Sequence, residues 1–141
     1  MLLPVPEIRH SLMRSQDGPV LIVDDDLDIR EALSQILEDQ GFDVVTAANG
    51  QEALALLRGL EVRPSVILLD LMMPIMDGYG FLDAYRDDAS LAVVPVAIIT
   101  AGNGIDHSRI DSVTPIIPKP IDVRRLFTTL GDLGTAAEVV S

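Results

Sequence analysis

Val20-Leu21-Ile22-Val23-Asp24-Asp25-Asp26 is a run of four apolar residues that opens directly into three carboxylates. A short, continuous run of this kind fits a strand buried on both faces, which requires helices above and below its sheet. A helix follows at once. Ile29, Leu33, Ile36 and Leu37 fall at helical spacing, Asp26 or Asp28 stands where a cap is needed, and Gly41 sits just past the end.

The same alternation runs along the chain from residue 19 to the last helix. Phe42 to Ala47 reads as a second strand and Gly50 to Leu60 as a helix with Ala53, Leu54 and Leu57 inward. Ser65 to Leu69 reads as a third strand, ending at Asp70. A helix at Gly78 to Arg86, a strand at Val93 to Ile99 ending in Thr100, a weak segment at Asp106 to Val113, a short strand at Pro115 to Ile117 and a helix at Asp122 to Leu130 complete the pattern. Five strands joined by segments too long for hairpins predict an α/β domain, with a parallel sheet, helices on both faces and right-handed crossovers.

Length and composition fit one such domain. The 141 residues leave little room for a second ordinary domain. Residues 18–134 are expected to form it, with 1–17 a flexible leader and 135–141 a tail. Hydrophobic residues make up 48% of the chain but aromatics only 4%, so Val, Ile, Leu and Ala must fill the core. The formal net charge of −12 repels phosphate backbones and anionic lipid heads, which argues against direct nucleic-acid binding. With no cysteine, disulfides and thiolate metal sites are excluded. No apolar run approaches the ~20 residues that span a bilayer; Pro4, Pro6 and Glu7 do not resemble a signal peptide, and a cytoplasmic location without membrane contact is expected.

In open parallel sheets, ligands bind beyond the carboxyl ends of the strands. That rule selects Asp24 and Asp25 after the first strand, Asp70 after the third, Thr100 after the fourth and Lys119 after the fifth. Three converging carboxylates repel one another unless a cation neutralises them. A magnesium ion suits oxygen ligands of this kind, whereas calcium wants a larger cage and zinc wants His or Cys. A carboxylate can attack phosphorus to form an acyl phosphate if the incoming negative charge is offset. Lys119 can offer an ammonium and Thr100 a hydroxyl to the phosphoryl oxygens. The Lys119-Pro120 bond is one of the few that adopts the cis form at modest cost, which would help turn the lysine inward.

Four segments together carry a family resemblance: Leu21-Ile22-Val23-Asp24-Asp25-Asp26, Leu68-Leu69-Asp70-Leu71-Met72-Met73-Pro74-Ile75-Met76-Asp77-Gly78, Ile98-Ile99-Thr100-Ala101 and Pro118-Lys119-Pro120. Over roughly Pro19 to Leu133 the chain resembles bacterial response-regulator receivers in their single-domain, chemotaxis-regulator-like form. The resemblance implies a flavodoxin-like (βα)5 fold with strand order 2-1-3-4-5. It implies a two-component phosphorelay in which Asp70 takes a phosphoryl group from a histidine kinase or histidine phosphotransfer protein and later loses it to water. Magnesium would be held by Asp24, Asp25, Asp70 and the backbone carbonyl of Met72, with Asp25 direct and Asp24 through water. The chain would then be a signalling phosphoacceptor rather than an enzyme acting on other substrates. It would work through protein contacts with a downstream target, as a monomer or weak homodimer.

Two positions depart from that pattern. The family often has an aromatic switch residue three positions before the lysine, where this chain has Ile116, expected to be buried; switching would then rest on Thr100. The segment between Thr100 and Lys119 is short by roughly one helical turn and loosened by Gly102, Asn103 and Gly104, so a short or irregular fourth helix is expected. Met73 and Met76 are expected to pack locally, and His10 and His107 to be surface residues. Two other functions compete. A receiver-like interaction module that is never phosphorylated would not need all five chemical positions, and a small aspartate-nucleophile phosphatase would need an acid where Met72 stands.

Overall fold

The structure is a computed structural model and describes residues 18–134; the expected leader at 1–17 and tail at 135–141 lie outside the described residues. Five parallel strands, β1 (Val20–Val23), β2 (Val44–Ala47), β3 (Val66–Asp70), β4 (Val96–Thr100) and β5 (Ile116–Pro118), lie in the order β2-β1-β3-β4-β5. Four α-helices connect or follow them: α1 (Leu27–Asp39), α2 (Gly50–Gly59), α3 (Gly78–Asp87) and α4 (Val123–Gly134). The connection from β4 to β5 holds only a 3-10 turn at His107–Arg109, as the loosened sequence there predicts.

Period-two alternation along the strands divides the core into two layers. Leu21, Val23, Ile67, Leu69 and Ile98 meet the buried faces of α2 and α3, including Leu54, Leu57, Phe81 and Leu82. Val20, Ile22, Val66, Leu68 and Ile99 meet Leu33 and Leu37 of α1 and Leu126 and Leu130 of α4. Every residue of β1, β3 and β4 is buried, which explains why these segments are apolar throughout rather than alternating.

Most of the sequence-based boundaries hold, and the exceptions have local causes. The fourth strand begins at Val96, not Val93. Val94 donates its amide to Leu91 in a turn, and Pro95 has no N–H to enter a ladder, so Val93 is left 65% exposed. Phe42 precedes β2, with its amide bonded to the Leu37 carbonyl and its ring stacked 6.2 Å from that of Phe127. The last helix runs four residues past Leu130. Ile116 is half-buried against the α2–α3 layer rather than fully buried.

The 101–114 segment is fastened to α3 by residues one helical face apart. The Tyr79 hydroxyl accepts the Asp106 amide at 2.8 Å, and the Arg109 guanidinium lies 4.8 Å above the Tyr79 ring while reaching Asp83 at 2.9 Å. Arg86 donates to the Arg109 carbonyl at 2.6 Å. Beneath them Ile105 and Ile110 join the core. Exposed ion pairs are worth ~0–1 kcal/mol and an exposed cation–π contact ~0.5–1 kcal/mol. The fastening is therefore local. Arg109→Ala should lower global stability by about 1 kcal/mol at most, yet speed amide exchange at Asp106 and Ile110 severalfold, while β1 and β3 keep their protection.

Candidate functional site

Asp24, Asp70, Thr100 and Lys119 meet at the carboxyl end of the sheet because their strands are neighbours in register. Val23 lies beside Leu69, Asp70 beside Ile99 and Thr100 beside Pro118. The Lys119 amide donates to the Thr100 carbonyl at 2.8 Å, and the Lys119-Pro120 bond is cis. Asp24, Asp70 and Thr100 are buried, Lys119 is half-buried, and Asp25 is exposed at the mouth.

The lysine is not shared equally. Its Nζ lies 2.7 Å from Asp24 Oδ2 and 3.5 Å from Asp70 Oδ2. Asp24 Oδ2 is buried, and the Lys119 ammonium is its one close charged partner among the described residues. Asp24 Oδ1 accepts the Asp26 amide at 2.9 Å, and Asp70 Oδ1 accepts the Met72 amide at 3.4 Å. Carboxylate oxygens of Asp24, Asp25 and Asp70 all lie within 4.8 Å of one another. An all-oxygen acidic cluster with a buried, incompletely satisfied carboxylate fits a hard divalent cation.

Burial, then the Asp24 charge, push the Asp70 carboxyl up to about 6 from its ordinary 3.8, against the lowering effects of Lys119 and the Met72 amide. Burial alone would lower Lys119, but the carboxylates of Asp24 and Asp70 outweigh it and hold the ammonium above its usual value. The lysine stays charged. A carboxylate in this setting is poorly solvated, which favours cationic partners beside it.

Asp24, Asp25, Asp70, Thr100 and Lys119 thus gather at one end of a parallel sheet in the order 2-1-3-4-5, and comparison with known proteins agrees with that fold. The model of the response regulator receiver domain family matches residues 20–131. The chain belongs to the response-regulator receiver family. Among relatives, the receiver is 36% identical over 120 residues to a probable transcriptional regulator of Porphyra purpurea, covering 79% of this chain and 47% of that one. It thus spans about half the length of the curated relatives it matches. Among solved structures, chemotaxis protein CheY4 of Vibrio cholerae superposes with a TM-score of 0.73 at 31% identity, covering 86% of this chain and 98% of the other. The receiver domain of a signal transduction histidine kinase from Syntrophus aciditrophicus gives 0.75 at 30% identity, covering 84% and 91%.

Several residues that shape the receiver's site were not singled out by sequence. Arg30 donates to the Asp24 carbonyl at 2.7 Å, bracing the acidic loop from α1. A cation near the positive end of a helix is electrostatically misplaced unless it has a partner, and that was the available signal. Buried Asn49 caps α2 by accepting the Glu52 amide, while Glu52 accepts the amide of Ala48. Met73 and Met76 pack against the core as expected, and the Met76 carbonyl accepts the Gly50 amide at 2.8 Å. His107 is exposed, far from any ligand role; His10 lies outside the described residues.

Gly78 closes the loop that starts at Asp70. A Cβ there would stand 2.5 Å from the Asp70 carbonyl oxygen and 2.7 Å from Leu71 Cα, both backbone atoms that cannot swing away. Gly78→Ala should therefore cost more than ~2 kcal/mol in denaturant unfolding, well beyond the ordinary gain from replacing glycine in a helix. For Asp70 the sign runs the other way. The folded state keeps its proton up to about pH 6, whereas the unfolded chain releases it near 3.8, so unfolding free energy falls as pH rises through that window. Without divalent cations at pH 7–8, Asp70→Asn should be more stable than the parent by about 1–3 kcal/mol. The difference should vanish near pH 3.5, as read by urea titrations of both proteins.

Proposed function

We propose that residues 18–134 act as a phosphoacceptor in a two-component phosphorelay, with Asp70 as the residue modified. The donor is a histidine kinase or a histidine phosphotransfer protein. The reading rests most on one observation: Asp70 is a buried carboxylate, flanked by Asp24 and by the Lys119 ammonium, in a chain of the receiver family.

In the proposed reaction Asp70 Oδ attacks phosphorus, the P–N bond to the donor histidine breaks, and the nitrogen's electron pair leaves with the imidazole. Magnesium, held by Asp24, Asp25, Asp70 and the Met72 backbone carbonyl, would supply positive charge to the phosphoryl oxygens. Lys119 would move part of its ion pairing from Asp24 to a phosphoryl oxygen, adding a charge-assisted hydrogen bond. Thr100 would donate its hydroxyl to another oxygen, linking the modified site to the 101–114 segment. Attack by water on phosphorus then returns Asp70 and releases phosphate. Ile116, which replaces the usual aromatic switch residue, is half-buried and cannot report the change in that way.

The output in this reading is a change in protein contacts, with the −12 net charge of the 141 residues disfavouring direct binding to nucleic acid. Among the described residues, no helix is long and apolar enough to cross a membrane. The proposal includes a cytoplasmic location and a monomer or weak homodimer.

Incubation with acetyl phosphate and magnesium should add one phosphoryl group, found on Asp70 by borohydride trapping and mass spectrometry. Chelation should abolish it, Asp70→Ala should not be labelled, and Lys119→Gln should label at least tenfold more slowly. Normal labelling of Asp70→Ala would refute the assignment.

A further inference from the structure

The chain has two asparagines, Asn49 and Asn103, and each precedes a glycine. Asn-Gly is the sequence most open to one uncatalysed reaction. The amide nitrogen of the following residue attacks the asparagine Cγ, and a glycine there offers no side chain to obstruct the approach. The N–H proton is lost, the new N–C bond closes a five-membered succinimide, and ammonia leaves from the side-chain amide. Water then opens the ring at either carbonyl, giving aspartate or isoaspartate. The step needs an unengaged backbone amide and a side chain free to turn onto it.

The fold treats the two dipeptides oppositely. At Asn49–Gly50 both reacting groups are occupied: the Gly50 amide donates to the Met76 carbonyl at 2.8 Å, and Asn49 Oδ1 accepts the Glu52 amide at 2.9 Å as the cap of α2. Asn49 is 6% exposed, and Met76 atoms stand where a Cβ on Gly50 would be, so there is no space to rearrange. At Asn103–Gly104 nothing restrains the reaction. Both residues are exposed, Gly104 sits at φ +72° with open space around it, and neither makes a hydrogen bond among the described residues.

We propose that Asn103 is a site of spontaneous deamidation and isoaspartate formation in the folded protein, and that the fold holds Asn49 inert. The modification falls between Thr100 and the Asp106 and Arg109 contacts to α3, so it adds a negative charge, and in the isoaspartate form one extra backbone atom, to the link between them. This inference is independent of whether Asp70 is phosphorylated.

The folded full-length chain is incubated at pH 8 and 37 °C, digested with trypsin, and the fragments spanning 31–58 and 87–109 are compared by mass spectrometry over time. The second should gain about one mass unit and be labelled by an isoaspartyl methyltransferase at least tenfold faster than the first. Gly104→Ala should slow it severalfold. In 8 M urea, which removes the fold's protection, the two rates should converge to within about threefold. Equal rates in the folded protein, or faster conversion of 31–58, would overturn the proposal, as would an unmodified 87–109 fragment under conditions where the urea sample converts.

Discussion

Two buried carboxylates and one ammonium at the carboxyl end of the sheet are the constraint around which the rest is arranged. Moving Asp24 and Asp70 out of water carries a cost of several kcal/mol per ion, which mutual repulsion increases and Lys119 offsets only in part. The core must therefore supply rigidity that the site itself does not. Three strands buried on both faces do so, because their ends cannot separate without exposing Val23, Leu69 and Ile99. Burial and the neighbouring Asp24 charge raise the proton affinity of Asp70, a cost to the folded state that the surrounding core must bear.

The loops that reach this corner are held by backbone contacts more than by side-chain charge. Arg30 clamps the Asp24 carbonyl, Gly50 and Gly78 bind the 71–78 loop through Met76 and Leu71, and Lys119 hangs from Thr100. Each contact runs to a different secondary element, so the cluster is positioned from several directions. Asp25, at the exposed mouth, is the carboxylate left free to meet what enters.

On the α2–α3 side the molecule departs from a regular alternation. Instead of a helix between β4 and β5, one 3-10 turn is tied to α3 by Tyr79, Asp83 and Arg86, with two positive-φ glycines at its start. Few apolar contacts and several exposed polar ones mark it as a segment of low local stability. It connects directly to Thr100, so any event at the site has a short, soft path to the surface.

The strands, the order of the carboxylates, an aspartate cap on α1 at Asp26 or Asp28 and the irregular 101–114 segment were all legible in the sequence; the structure chose Asp26 as the cap. Each depends on a few adjacent residues whose spacing reports burial or turn chemistry. Pro95 before the fourth strand was a local signal too, but Val93 and Val94 look like strand residues until the Leu91–Val94 turn is seen. Contacts between distant residues were not legible. That Lys119 sits closer to Asp24 than to Asp70, that Arg30 braces the Asp24 carbonyl, and that Arg109 crosses 26 residues of sequence to reach Asp83 all depend on how helices settle on the sheet. The residue types and their place at strand ends were thus determined by sequence alone. Which charges touch, and how far Asp70 is shifted, was decided by packing, because electrostatic energy varies with ångström distances and with solvent access that no local pattern encodes.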